Sequence, residues 1–205
     1  MDGITASTLP WYVSRATGVV SLLLLTAVMV LGILVNRQGR LPGLPRFAVT
    51  NLHRNLSLMS VVFIVIHVIT AVIDGYVSVP LISGVIPFTS GYEGFWLGLG
   101  AISFDLMLAL IVTSLVRGHL SRRLWKAVHW LAYASWPVAF AHSLGSSTDM
   151  QRGLLLGLAV LCAAVLAAAL IWRLVLMARQ VPRAQRVSAV MQAATSRRLE
   201  KADRR

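Results

Sequence analysis

Five apolar runs, separated by short polar stretches, dominate the chain: Ala16 to Val35, Leu52 to Ile73, Phe95 to Val116, Trp125 to Leu144 and Gly153 to Met177. Each is close to the roughly 20 residues that a helix needs to cross the hydrocarbon core of a bilayer. The pattern predicts an all-α integral membrane protein, a bundle of five transmembrane helices. The flank from Met1 to Ser14 carries neither the basic region nor the small-residue cleavage site of a signal peptide, so the first run is expected to stay as a helix. The expected organisation is an external segment over 1–14, a transmembrane domain over 15–178 and a basic cytoplasmic tail over 179–205.

Composition agrees with that pattern. The 205 residues are 57% hydrophobic and 13% charged, with a mean hydropathy of +0.75, which is more apolar side chain than one water-soluble core encloses. Five spans of roughly 20 residues take about half the chain, so no separate soluble catalytic domain is expected. The net charge of +12 argues for topology and not for a nucleic-acid partner, because the basic residues lie between and after the apolar runs. Of the 19 Lys and Arg, all but Arg15 and Arg152 fall on one side: Arg37, Arg40, Arg46 and Arg54 after the first run, Arg117, Arg122, Arg123 and Lys126 after the third, and the rest from Arg173 onward. The positive-inside rule then puts the N-terminus outside and the C-terminus in the cytoplasm of a multi-pass cell-membrane protein. Asp2, Asp74, Glu93 and Asp149 fall outside. The outer connection from Asp74 to Gly94, with Pro80 and Pro87 among apolar residues, is expected to cap the bundle at the interface. In the tail, Val187, Val190, Met191 and Ala194 have helical spacing and fit either a short helix on anionic lipid or a docking patch for an electron donor. The single cysteine, Cys162, excludes an internal disulfide, a CxxC site and an iron–sulfur cluster within one chain.

Four of the five histidines, His53, His67, His129 and His142, fall in just two of the runs. An ionisable group at membrane depth is costly unless paired or ligated, and neutral imidazole is an axial ligand for haem iron. His53 and His67 are 14 residues apart, which at about 100° per residue is about 40° short of four turns and about 21 Å along the axis. They share a face, one near each surface. His129 and His142 lie near opposite ends of a helix that runs the same way, so the inner pair is His53 with His129 and the outer pair His67 with His142. Two stacked bis-histidine b-type haems, or one, would use such pairs; histidines that simply hydrogen-bond between helices are the alternative. The 13-residue spacing leaves His142 about 140° from the face of His129 on an ideal helix, so the helix must be distorted there, and Pro137 supplies a cause. His119 reads as a solvated loop residue.

The HX13H spacing of His53-Arg54 to Ile66-His67 and the HX12H spacing of His129-Trp130 to Ala141-His142 resemble the ferric reductase-like transmembrane domain, the haem-binding core shared by ferric reductases, NADPH oxidases and the bacterial methionine sulfoxide reductase haem subunit. The resemblance spans about 15–176. It implies that His53 and His129 ligate an inner haem iron, that His67 and His142 ligate an outer one, and that electrons pass across the membrane. Members with flavin and nicotinamide domains carry them after the last span; about 25 residues follow it here, so the donor is expected to be a separate flavin-containing reductase or a quinol.

Around the histidines, Gly18 and Gly32 repeat the 14-residue separation on the first helix, where they either make room for the macrocycle faces or allow close helix packing. Arg15, at the outer end, reads as a partner for an outer propionate or as an interfacial anchor, and resembles an arginine that family members carry there. Arg54 and Lys126 are candidates for inner propionates. Asp105, mid-span, is expected to be protonated, hydrogen-bonded to Ser60, Tyr133 or Ser135, or part of a proton path. Trp125, Trp130, Tyr133 and Trp136 divide between interfacial belting and packing on porphyrin. The polar turn Gly145 to Asp149, with Asp74 and Glu93, makes a mildly acidic outer rim. No hydrolase triad, phosphate-cradling loop or metalloprotease spacing occurs. The function expected is transmembrane electron transfer to an external acceptor: a ferric chelate, oxygen or a partner protein. A haem or metal carrier, a non-redox assembly subunit and a quinol-linked cytochrome of the b561 kind are the alternatives.

Overall fold

A computed structural model describes residues 9–35, 45–74 and 79–203. Asp2, Arg37 and Arg40 lie outside the described residues. Everything regular among those described is helical: α1 (Leu9–Val35), α2 (Arg46–Ile73), α3 (Gly94–Leu115), α4 (Arg122–His129), α5 (Ala132–Gly145) and α6 (Gly153–Asp203), with 3-10 turns at Leu81–Gly84, Arg117–His119 and Asp149–Gln151. Four segments are long and apolar enough to cross a membrane: Leu9–Leu34, Phe47–Ile73, Gly94–Leu115 and Gly153–Ala178.

The expected fourth span departs from this. It is not one helix but α4 and α5, broken at Trp130 and Leu131. Pro137 lies inside α5, and its missing N–H frees the carbonyl of Tyr133, four residues back. Just before that turn the backbone tightens, with Leu131 N–H bonding Val128 O at 2.9 Å, Tyr133 N–H bonding Trp130 O at 3.0 Å and Ala134 N–H bonding Leu131 O at 2.9 Å, the i to i+3 pattern of a 3-10 helix. α6 continues through the tail to Asp203. Its Ala, Arg, Gln, Met and Leu residues favour helix strongly enough to carry the backbone through Pro182.

The chain divides into two compact units, Met1–Leu166 and Ala167–Arg205. In the first, α1 packs along α2 and also touches α5, which packs along α3. The distribution of side chains is that of a protein in lipid. Phe47, Ile73, Leu115 and Leu154 are all more than half exposed, while Ser21, Thr26, Ser60, Ser103 and Ser135 are buried. Small hydroxyl residues let helix backbones approach closely, and the hydroxyls of Thr26, Ser60, Ser103 and Ser135 find acceptors nearby, while that of Ser21 does not. Ser60 donates to Leu56 O at 2.8 Å, Thr26 to Leu22 O at 2.8 Å, and Ser103 crosses to Ser135 O at 3.2 Å. Trp136 of α5 donates its indole N–H to Thr26 of α1 at 2.9 Å. The outer connection folds back on α3, where the Phe88 ring occupies the space that a Cβ on Gly98 would need.

Candidate haem-ligating histidine pairs

The outer pair is built by four helices. His67 of α2 reaches α1, where its Nδ1 lies 2.7 Å from the carbonyl oxygen of Ser14; the Ser14 hydroxyl lies 3.3 Å from the same nitrogen. His142 of α5 reaches α3, with Nδ1 2.8 Å from the carbonyl oxygen of Trp96. A carbonyl only accepts, so each Nδ1 carries the proton and each Nε2 is left as a lone-pair donor. The ring centroids are 6.3 Å apart with planes at 73°. A metal–imidazole bond of about 2 Å, extended roughly 1 Å to the ring centre and repeated on the other side, gives roughly 6 Å between centroids. Both rings border a cavity of about 360 Å³ whose wall includes Arg15, Gly18, Gly100 and Asp149.

Glycines seat these rings. A Cβ on Gly18 would lie 3.0 Å from His67 Cε1, one on Gly32 would lie 3.4 Å from His53 Cε1, and one on Gly100 would lie 2.8 Å from His142 Cε1. The room left by Gly18 and Gly32 is therefore taken by imidazole edges. Gly100 plays for His142 the part that Gly18 plays for His67. Sequence reasoning passed over it, although Gly98, Gly100 and Ala101 cluster in the outer part of α3, at the level of His142.

At the inner end, His53 Nδ1 lies 3.1 Å from Val28 O, the same arrangement again. His129 differs. It is the last residue of α4, its Nδ1 is buried without a hydrogen-bond partner, and its ring stacks on Trp125 at 4.8 Å and 20°. The Arg117 guanidinium lies over the Trp125 ring at 4.7 Å, and the Trp125 indole N–H is also buried without a partner. His53 and Arg117 both lie within electrostatic reach of His129.

Of the other predicted residues, Arg15 lies at the cavity wall, donating to Ser147 Oγ at 2.8 Å, paired with Asp149 and resting on the Trp11 ring at 4.3 Å. Arg54, Lys126 and His119 are exposed. Asp105 is half-buried, and the Ser60 and Ser135 hydroxyls donate elsewhere, to Leu56 O and Ala132 O. Trp136 is committed to Thr26 and stacks on Phe140 at 5.0 Å, whereas Trp130 is 61% exposed and belongs to the surface.

The donor set fits a haem better than a bare ion. Among the described residues no group of three or more His, Cys, Asp or Glu converges, so the histidines come as pairs and not as a larger ligand cage. A macrocycle supplies the remaining ligands itself, whereas a lone divalent ion needs them from the protein. Comparison with protein-family models finds a match to the family described as ferric reductase like transmembrane component, over residues 17–140. It takes in His53, His67 and His129 and stops two residues before His142. Neither curated proteins nor solved structures yield a match.

Proposed function

This chain belongs to the ferric reductase-like transmembrane family, and from that premise we propose that it is a multi-pass bis-histidine cytochrome of the cell membrane. Haems held by His53 with His129 and by His67 with His142 would supply a path for electrons from a cytoplasmic reductase or a quinol to an external acceptor. The proposed orientation has the N-terminus outside, following the charge asymmetry of the loops. Haem supplies one-electron Fe(III)/Fe(II) chemistry when bound.

The observation that carries this reading is the second shell. His53, His67 and His142 each turn Nδ1 toward a backbone carbonyl of the neighbouring helix, as metal-ligating histidines generally do. Histidines serving only to join helices have no need to leave Nε2 unbonded three times over. The carbonyls fix tautomer and ring orientation before any ligand arrives, so little rearrangement accompanies a change in oxidation state. The wall of the cavity beside His67 and His142 is mostly apolar, with Arg15 and Asp149 among its polar members. Arg15 stands at the outer cavity wall, where its positive charge favours a propionate.

The test is haem content per chain in detergent-purified protein, by pyridine haemochrome and a dithionite-reduced minus oxidised spectrum, for wild type, His53→Ala and His67→Ala. Two b-type haems in the wild type and one in each variant is the expected result. A folded chain that retains no haem when haem supply is ample overturns the proposal.

A further inference from the structure

Three of the four histidines share one arrangement and His129 does not. His53, His67 and His142 are anchored through Nδ1 to fixed backbone carbonyls. His129 has a buried Nδ1 with no acceptor, ends an eight-residue helix and is followed at once by the break at Trp130 and Leu131. What holds its ring is the stack on Trp125, which restrains the plane but gives Nδ1 nothing to donate to. An imidazole whose N–H meets a good acceptor is a stronger and better-oriented ligand, and losing such a partner typically costs about 10- to 100-fold in metal affinity. The neighbours do not compensate: the Trp125 indole N–H is a donor lacking an acceptor, and Arg117 adds only donors and positive charge. At a helix end the ring also moves more cheaply than one seated inside a long helix against a glycine, as His67 of α2 is against Gly18.

Building on the haem-binding reading above, we propose that His129 is an exchangeable axial ligand, so that the inner iron takes a small neutral ligand such as a diatomic gas on its His129 side while the outer iron does not. The inner site would then be a place of ligand binding as well as an electron relay. The outer pair, with both Nδ1 groups anchored, stays closed.

The experiment is a carbon monoxide titration of dithionite-reduced, haem-loaded protein, read by the change in the absorption spectrum and scaled to haem content. The expected end point is one carbon monoxide for every two haems. His129→Ala, with the inner haem retained through His53, is expected to leave that amplitude unchanged and to tighten binding about 10-fold or more, because the competing imidazole is gone. Two retained haems with no carbon monoxide bound, or with both binding it, overturns the inference and leaves the electron-transfer reading intact. An amplitude that doubles in His129→Ala overturns it too, since the reactive iron would be the outer one. Absence of haem in the wild type overturns the functional reading itself.

Discussion

The seating of each imidazole on a glycine gives a graded prediction, because the three clearances differ. An alanine Cβ at Gly100 would lie 2.8 Å from His142 Cε1, 2.9 Å from Nδ1 and 3.1 Å from Nε2. All three atoms belong to a ring that cannot bend away and is tied to Trp96 O at 2.8 Å. Relieving the overlap means shifting α3 from α5 or turning the ring off its carbonyl, and overpacking of this kind costs about 1–3 kcal/mol. At about 1.4 kcal/mol per decade, that is roughly 5- to 140-fold weaker retention of the outer haem in Gly100→Ala. At Gly18 the distances to His67 are 3.0 and 3.1 Å, so Gly18→Ala falls at the low end of that range. At Gly32 the nearest atoms of His53 are 3.4 and 3.8 Å away. That is ordinary contact, and the gain of about 0.5–1 kcal/mol from replacing glycine with alanine in a helix decides the sign. Gly32→Ala is expected to keep the inner haem and melt slightly higher. The assay is haem transfer from each purified variant to excess soluble apo-globin, followed optically beside a thermal melt. Equal haem loss from Gly32→Ala and Gly100→Ala, or wild-type retention in Gly100→Ala, would refute the claim that the glycines seat the histidine rings.

Two further expectations rest on other parts of the bundle. Trp136→Phe deletes the donor to Thr26 and Thr26→Val strands a buried indole N–H, each costing about 1–3 kcal/mol; in thermal melts the double variant should lose clearly less than the sum of the two, and strict additivity would show that the bond is not made. Asp105→Leu replaces a half-buried mid-span carboxyl to which neither the Ser60 nor the Ser135 hydroxyl donates with a residue that hydrocarbon favours, so it should raise the melting midpoint with haem content unchanged; haem loss or a lower midpoint would mean that the carboxyl is needed.

What the sequence made legible and what it hid follow from the kind of information each feature depends on. Both ends of α3 and the C-terminal end of α2 fall close to the predicted ones because a long apolar run between basic clusters has few other ways to be solvated, whereas α2 begins earlier than Leu52, at Arg46. The pairing of histidines by depth follows from rise per residue and needs no side-chain detail. The break between α4 and α5 was invisible to hydropathy, since Trp130, Leu131 and Ala132 are as apolar as the turns beside them. Pro137 signalled a distortion but not where it falls, because a proline's effect is displaced toward the carbonyl four residues back. Gly100, the Trp96 carbonyl and the Val28 carbonyl were hidden for a different reason. They act on histidines of other helices, and only the packing of α3 on α5 and of α1 on α2 brings them into reach. The exposure of Arg54 is likewise a matter of which way α2 faces, which a position next to His53 does not specify.

The irregular helix and the irregular histidine have one origin. Thirteen residues of regular α-helix would leave His142 about 140° away from the face of His129. A residue in a 3-10 turn advances about 120° in place of about 100°. The five steps from His129 to Ala134, where the i to i+3 bonds lie, therefore recover roughly 100° of that deficit. His142 is brought round to meet His67 by overwinding the backbone between the two histidines of its own chain segment. The overwinding ends α4 at His129 and leaves that ring off the regular helix, out of reach of any neighbouring carbonyl. On α2 the 14-residue spacing needs no such correction, and His53 and His67 both sit inside an unbroken helix with their Nδ1 atoms anchored. One residue fewer between the histidines of the second pair thus accounts both for the outer site's regular geometry and for the loosely held ligand at the inner one.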